Sequence, residues 1–320
     1  MVINIPEILK QTPKESIFNV LDKRYSTLGP IWVSHQIEWF NGIYACFKDH
    51  DKFLIIIYLT KKTLDSYSRN FIKLNFDEFF SGKTIEVEKL NVSEISSALL
   101  IPKESARRKI VELEKKGVIK RINKKIIIDR TCFDYIKPIN SIKRISTFLS
   151  LLSVMCYEEK ILSKKITSEQ LDLIIKNNFS HIWNFYYEMQ IPMMISYKKI
   201  FKDFDTFHIF GTCVVNQHFH ARRLTDLYKN RESFLKSTTL SNKMQGVNAM
   251  SISEITGIPR ATVIRKLQKL LKNKNLSIDK KKHYIITVNS SSITKPIQRI
   301  VLHSLANFSS KIFNLAILNK

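Results

Sequence analysis

Arg108 and Arg265 occupy matching places in two similar stretches of the chain, residues 92–119 and 250–270. In the first, Ala106, Ile110 and Leu113 recur at the spacing of a buried helix face. A turn of about 100° per residue then points Arg108 and Lys115 outward, with Glu104 near them and Ser105 to one side. In the second, Val263, Leu267 and Leu270 make the stripe, and Arg265, Lys272, Ala261 and Thr262 face out. An arginine fork suits two-point contact with guanine, and a Ser or Thr hydroxyl can donate to a phosphate or a base. Each stretch leads to a basic tip, Asn123-Lys124-Lys125 and Lys280-Lys281-Lys282 with His283. Short β runs, Ile126-Ile127-Ile128 and Tyr284-Ile285-Ile286, follow the tips. The candidate contact residues are Lys103, Glu104, Ser105, Arg107, Arg108, Lys124 and Lys125 in the first stretch. In the second they are Arg260, Thr262, Arg265, Lys266, Lys280, Lys281 and Lys282.

Other chemistries find less support. His218 and His220, with Arg222 and Arg223 nearby, have no Cys, Asp or Glu at ligand spacing, and read as a basic helix face. Cys46, Cys132, Cys156 and Cys213 form no CxxC pair and read as reduced thiols. With 7 glycines there is neither a GxGxxG nor a P-loop pattern. No catalytic residue, metal or cofactor is expected. Trp32, Trp39, Tyr44 and Phe47 read as core rather than as the wall of an effector cavity.

The elements that must position these residues are a short helix, a turn, a second helix and a hairpin. Ile95 and Ala98 are expected to face inward on the first helix, and Ile252 and Ile255 on its counterpart. The turn passes through Leu100-Ile101-Pro102, and in the second copy through Gly257-Ile258-Pro259. Gly117 ends the first long helix, but Lys274-Asn275 stands where Gly117-Val118 would be, which predicts a different ending. The segment MSISEITGIPRATVIRKLQKL resembles the reading heads of bacterial winged-helix regulators, over residues 90–130 and 247–288. Each whole half is more loosely similar to a MarR-type protomer. That resemblance implies a MarR-like dimer fused into one polypeptide.

The chain repeats itself. FKDHDKF at 47–53 matches FKDFDTF at 201–207, 154 residues apart. Ile101-Pro102 and Arg108-Lys109 match Ile258-Pro259 and Arg265-Lys266 at 157, and Lys137-Pro138-Ile139 matches Lys295-Pro296-Ile297 at 158. Helix starts at 13–16 and 167–170 lead to the stripes Ile17, Leu21, Tyr25 and Leu171, Ile175, Phe179. Halves 1–155 and 156–320 are expected, joined without a Gly/Ser- or Pro-rich linker, hence through helix and packed together. Aromatic-rich helical segments at 31–47, 51–71, 182–201 and 205–228, and apolar terminal helices at 139–157 and 297–318, complete them.

Composition agrees. Lys and Arg number 52 against 28 Asp and Glu, a net charge of +24, which favours a polyanionic partner. A 44% apolar share is enough for packed cores. The apolar stretches 53–59 and 148–155 fall short of the roughly 20 residues of a spanning helix, and residues 1–16 show no signal peptide. The expected fold is mainly α with small β wings. It has two tandem winged helix-turn-helix domains with flanking helices in a pseudo-two-fold arrangement. The expected protein is a cytoplasmic transcription regulator and not an enzyme. It would bind an asymmetric double-stranded DNA site as a pseudo-dimeric monomer, with no membrane partner and with scope for further dimerisation through residues 297–318. The alternative is a plasmid- or phage-type replication initiator that binds origin repeats.

Overall fold

The computed structural model describes residues 11–87, 91–122, 125–132, 137–224, 230–240 and 245–318. It is mainly helical with a few short antiparallel strands. The first half runs α1 (Lys14–Lys23), α2 (Tyr25–Phe47), α3 (His50–Arg69), α4 (Phe76–Ser81), β1 (Thr84–Val87), α5 (Val92–Leu99), α6 (Lys103–Lys115), β2 (Ile119–Ile122), β3 (Lys125–Asp129) and α7 (Ile139–Glu158). The second half runs α8 (Ser168–Asn177), α9 (Phe179–Phe201), α10 (Phe204–Leu224), α11 (Arg231–Leu240), α12 (Ala249–Thr256), α13 (Arg260–Lys272), β4 (Leu276–Ile278), β5 (Tyr284–Ile286) and α14 (Ser290–Leu318). The order is the same in both, except that a single bridge, Val247 to Tyr284, stands in place of β1. In the first sheet β3 lies between β1 and β2, with Ile128 opposite both Ile85 and Ile119; in the second, Leu276 faces Ile286.

Polar caps set where the helices begin. Asp49 accepts the backbone N–H groups of Asp51 and Lys52 at the start of α3, and Asn91 and Asn248 cap α5 and α12. Asn75 with Glu78, and Thr167 with Gln170, close capping boxes on α4 and α8. α7 runs to Glu158, across the expected boundary near residue 155. The connection is also not helical. Lys160 adopts a left-handed backbone (φ 57°), and the N–H groups of Ile161 and Leu162 turn back onto the Cys156 carbonyl.

The two halves interleave. α7 packs on α8 and α14 on α1, so each half's last helix lies on the other's first. α2 packs on α10 and α9 on α3 in the same reciprocal way. Phe40 on α2 touches the rings of Phe204, Phe207 and His208 on α10, and Phe18 on α1 stacks on His303 of α14 at 4.1 Å. Asn41 Oδ1 lies 2.7 Å from His208 Nε2, and Lys198 reaches Asp51 at 2.7 Å. Gly211 allows the close approach of α10 to α2, since a Cβ there would collide with the Ile37 side chain. One core therefore runs through both repeats.

Trp32, Tyr44 and Phe47 are buried in that core and Trp39 packs against it, but Trp32, Trp39 and Phe47 also line cavities within it. One segment departs from the hydropathy reading. Among the described residues, Ile293–Leu318 is long and apolar enough to cross a bilayer, its most apolar 18-residue stretch reaching a mean hydropathy of 1.2. Interspersed Ser, Asn, His and Lys residues hide it from a search for unbroken apolar runs. In the structure it buries Leu305, Phe308, Ile312 and Phe313 as part of α14, which packs on α1 and α9.

Candidate nucleic-acid interface

The two stretches with outward arginines fold alike in detail. In the turn after α5, Leu100 takes a left-handed backbone (φ 51°), and Gly257 does the same after α12 (φ 70°). Ser96 Oγ donates to the Ile101 carbonyl at 2.7 Å, and Ser253 Oγ to the Ile258 carbonyl at the same distance. Pro102 and Pro259 then cap α6 and α13 with ψ 135° in both. The expected difference at the far end is overturned. Lys274 adopts the left-handed turn of Gly117 (φ 57° against 72°), and the next N–H, of Asn275 or Val118, closes on the carbonyl of Leu270 or Leu113. A lysine can take this conformation at a cost of about 1 kcal/mol, which the closing hydrogen bonds offset.

The long helices keep the expected phase. Ala106, Ile110 and Leu113, and Val263, Leu267 and Leu270, are buried. The short helices do not. α5 buries Leu99 with Ile95 and leaves Ala98 exposed, while α12 buries Thr256 with Ile252 and leaves Ile255 half-exposed at 50%. The stripe follows i, i+4 rather than i, i+3, and in each copy its second member is the last helical residue, next to the left-handed turn residue.

Lys103, Glu104, Arg107, Arg108, Arg260, Arg265, Lys280, Lys281 and Lys282 are exposed, and Ser105 and Thr262 sit half-buried at the helix starts. Lys124 lies outside the described residues. Lys125 is exposed but already paired with Glu86 at 2.5 Å. Lys266 corrects the expectation. It turns inward onto Asp203 at 2.8 Å, with 15% of its side chain accessible. Its counterpart Lys109 does the same with Asp49, and lies 3.6 Å from Asp51. The two repeated motifs in the sequence are thus partners in space. The aspartate of each FKD motif caps α3 or α10, and binds the lysine of the matching Arg-Lys pair on α6 or α13. Both repeats are visible in the sequence, but nothing in their spacing shows that one binds the other.

These welds shape the carboxylates' acidity. Burial works against the charge on Asp203, yet the hydrogen bonds from Lys266 and Thr206 hold its carboxyl below the usual carboxylate range. Asp49 is likewise lowered, burial opposing and Lys109 prevailing. A depressed carboxyl contributes stability that is present above its ordinary value, 3.8, and lost as the pH falls below it. Lys266→Ala is therefore expected to cost about 1–3 kcal/mol at neutral pH, between exposed and fully buried pairs. The cost should shrink in acid below about pH 4. Chemical denaturation at several pH values checks this. A stability-neutral substitution would mean the lysine is not structural.

Charge is distributed unequally. α6 carries Glu104, Glu112 and Glu114 among its cations, whereas α13 has no carboxylate. Arg107 lies 3.6 Å from Glu104, Arg108 3.9 Å from Glu112, and Arg121 pairs with Glu114. Among the described residues, Arg260, Arg265, Lys280, Lys281 and Lys282 form no ion pair. The second tip is shaped by Asp279, whose Oδ1 accepts the N–H groups of Lys281 and His283 at 2.8 Å each, so its lysine side chains are spare. Gln217 on α10 accepts the Ile286 N–H at 2.9 Å and so ties this hairpin to the body.

His218 is a further correction. It is buried rather than part of a basic face, and burial lowers its pKa to about 4. Among the described residues no group of three His, Cys, Asp or Glu could hold a metal. No protein-family model, curated protein or solved structure matches the chain.

Proposed function

We propose that this protein is a sequence-specific duplex-DNA-binding transcription regulator whose two winged helix-turn-helix heads share one chain. The heads are α5–α6 with β2–β3, and α12–α13 with β4–β5. One observation carries the reading. In both copies the lysine welds the long helix to the body, while the arginine one residue earlier stays in solvent. A helix that reads base edges must be held rigidly on its inner side and left free on its outer one. A merely solvated surface helix needs neither the weld nor its repetition. The interleaved body supports a MarR-like pseudo-dimer, because the reciprocal packing of terminal helices lets one chain present two heads.

Selection of bound fragments from a genomic library tests the reading. Recovery of promoter sites, with sedimentation showing one chain per site and a footprint of about two major-groove turns, is the expected outcome. Recovery of repeated sites at a replication origin would turn the assignment to an initiator. Two chains per site would remove the fused-dimer idea, and no enrichment would remove DNA binding.

A further inference from the structure

The side chains of α2, α10 and α14, with some from α1, α7 and α9, line a partly open cavity of about 100 Å³ whose wall is mostly apolar, with Leu28, Phe210, Val214 and Leu305 among its lining. The same wall holds four polar side chains with atoms that find no hydrogen-bond partner among the described residues. Gln36 is 3% exposed and leaves both amide atoms unpaired. Trp32 Nε1, His218 Nδ1 and Gln298 Oε1 are unpaired as well, and all four residues line the same space. Buried polar atoms without partners are costly, and four such side chains around one cavity could all be served by one polar ligand.

The internal repeat sharpens the point. A second cavity, about 350 Å³, lies at the equivalent place in the other half, bounded by Ile43, Phe47, Phe53 and Ile57 where the first has Tyr197, Phe201, Phe207 and Gly211. That copy is lined by Arg130, Arg144, Asp129 and Glu38 and is charged. Among the described residues the smaller copy has no carboxylate, lysine or arginine in its wall, and burial keeps His218 neutral. Its free groups are amide and indole N–H donors, amide carbonyl acceptors and the neutral imidazole Nδ1 of His218.

We propose that the smaller cavity binds a neutral ring compound of about benzene size that carries one hydrogen-bond donor and one acceptor. An engineered apolar cavity of about 150 Å³ accommodates benzene, so a single ring is the scale that fits once side chains adjust. A carboxylate or ammonium on the ligand would be buried without a counter-charge. Water alone fits poorly. Each buried water needs about three polar partners, and much of this wall offers none. A ring covers the apolar wall, and one amide-like group engages Gln36. This inference is independent of the DNA-binding reading, since its test involves no DNA.

The test uses the full chain labelled with nitrogen-15, and 2-piperidone, a six-membered lactam, as the probe. The chain has 3 Trp, so the Trp32 indole signal is identified by its loss in Trp32→Phe. A saturable shift of that signal with the lactam, together with a rise of several degrees in unfolding midpoint, is expected. Gln36→Leu should abolish the shift while raising the midpoint of the ligand-free protein, because it removes an orphaned amide. Val214→Phe fills the space and should abolish the shift with Gln36 intact, which keeps the test decisive if Gln36→Leu folds poorly. No saturable shift at any lactam concentration that leaves the fold intact would overturn the proposal. A shift that persists in Val214→Phe would overturn the location, and an equal response to cyclohexanecarboxylate would overturn the neutral ligand class.

Discussion

Cut between Lys164 and Lys165 and expressed apart, the two halves are each expected to lack a folded monomer, and to recover helical structure when mixed. The cut falls in the turn between α7 and α8, so it breaks no helix. What separation exposes is the inner side of eight helices, because α1, α2, α3 and α7 each lie on a helix of the other half. Phe40, Leu54, Ile55, Phe148, Ile209 and Phe308 are nearly inaccessible in the intact chain. Removing a side chain of this kind from its burial costs about 1.5–3 kcal/mol. A domain's net stability is about 5–15 kcal/mol, so losing a few such contacts is enough. Circular dichroism with sedimentation of each piece, alone and mixed, checks the outcome. A monomeric half with a cooperative thermal transition would show that the repeats are independent domains merely in contact.

Replacing Lys280, Lys281 and Lys282 together with Ala is expected to weaken binding to every duplex alike and to flatten its salt dependence. Each lost phosphate contact reduces the slope of log K against log salt by about 0.9, so the triple change should approach three units. The loop itself should survive, since Asp279 and backbone bonds shape it. Lys125→Ala at the first hairpin should change the slope little, because that lysine is already neutralised by Glu86. Titrations over a range of salt concentrations decide the matter. An unchanged slope in the triple variant would mean that the second hairpin stays off the phosphate backbone.

Parts of this arrangement were legible in the residues, and the reasons for the rest are physical. The buried stripe of α6 and α13 depends only on spacing along one helix, so Ala106, Ile110 and Leu113 could be read directly. The duplication was legible because blocks such as FKDHDKF and FKDFDTF keep order and spacing. Lys266 misled because its inward turn depends on Asp203, 63 positions earlier, and periodicity cannot show such a partner. Ala98 and Ile255 misled because a short helix of eight residues fixes its inward face by i, i+4 as readily as by i, i+3, and spacing alone does not choose. Lys274 misled because a glycine preference is a preference, and closing hydrogen bonds can hold a lysine in the same turn. The cross-packing of α2 on α10 and α9 on α3 left no trace in either helix's own pattern. His218 sits on an apolar wall that exists only once those helices meet.

If one chain reads duplex DNA with two heads, its two half-sites should be unlike. The outward faces differ: Lys103, Glu104 and Arg108 with half-buried Ser105 on α6, against Arg260, Ala261 and Arg265 with half-buried Thr262 on α13. Glu104 can accept a hydrogen bond from cytosine, while Ala261 offers only a methyl contact to thymine. The most direct measurement is the affinity of the intact protein, Arg108→Ala and Arg265→Ala for a selected duplex and for versions with either half scrambled. Each substitution should cost about 1–3 kcal/mol on the selected duplex and lose discrimination at one half only, a different half for each. If both variants weaken every duplex by the same factor, the arginines clamp phosphates, and the two-headed reading of sequence is wrong.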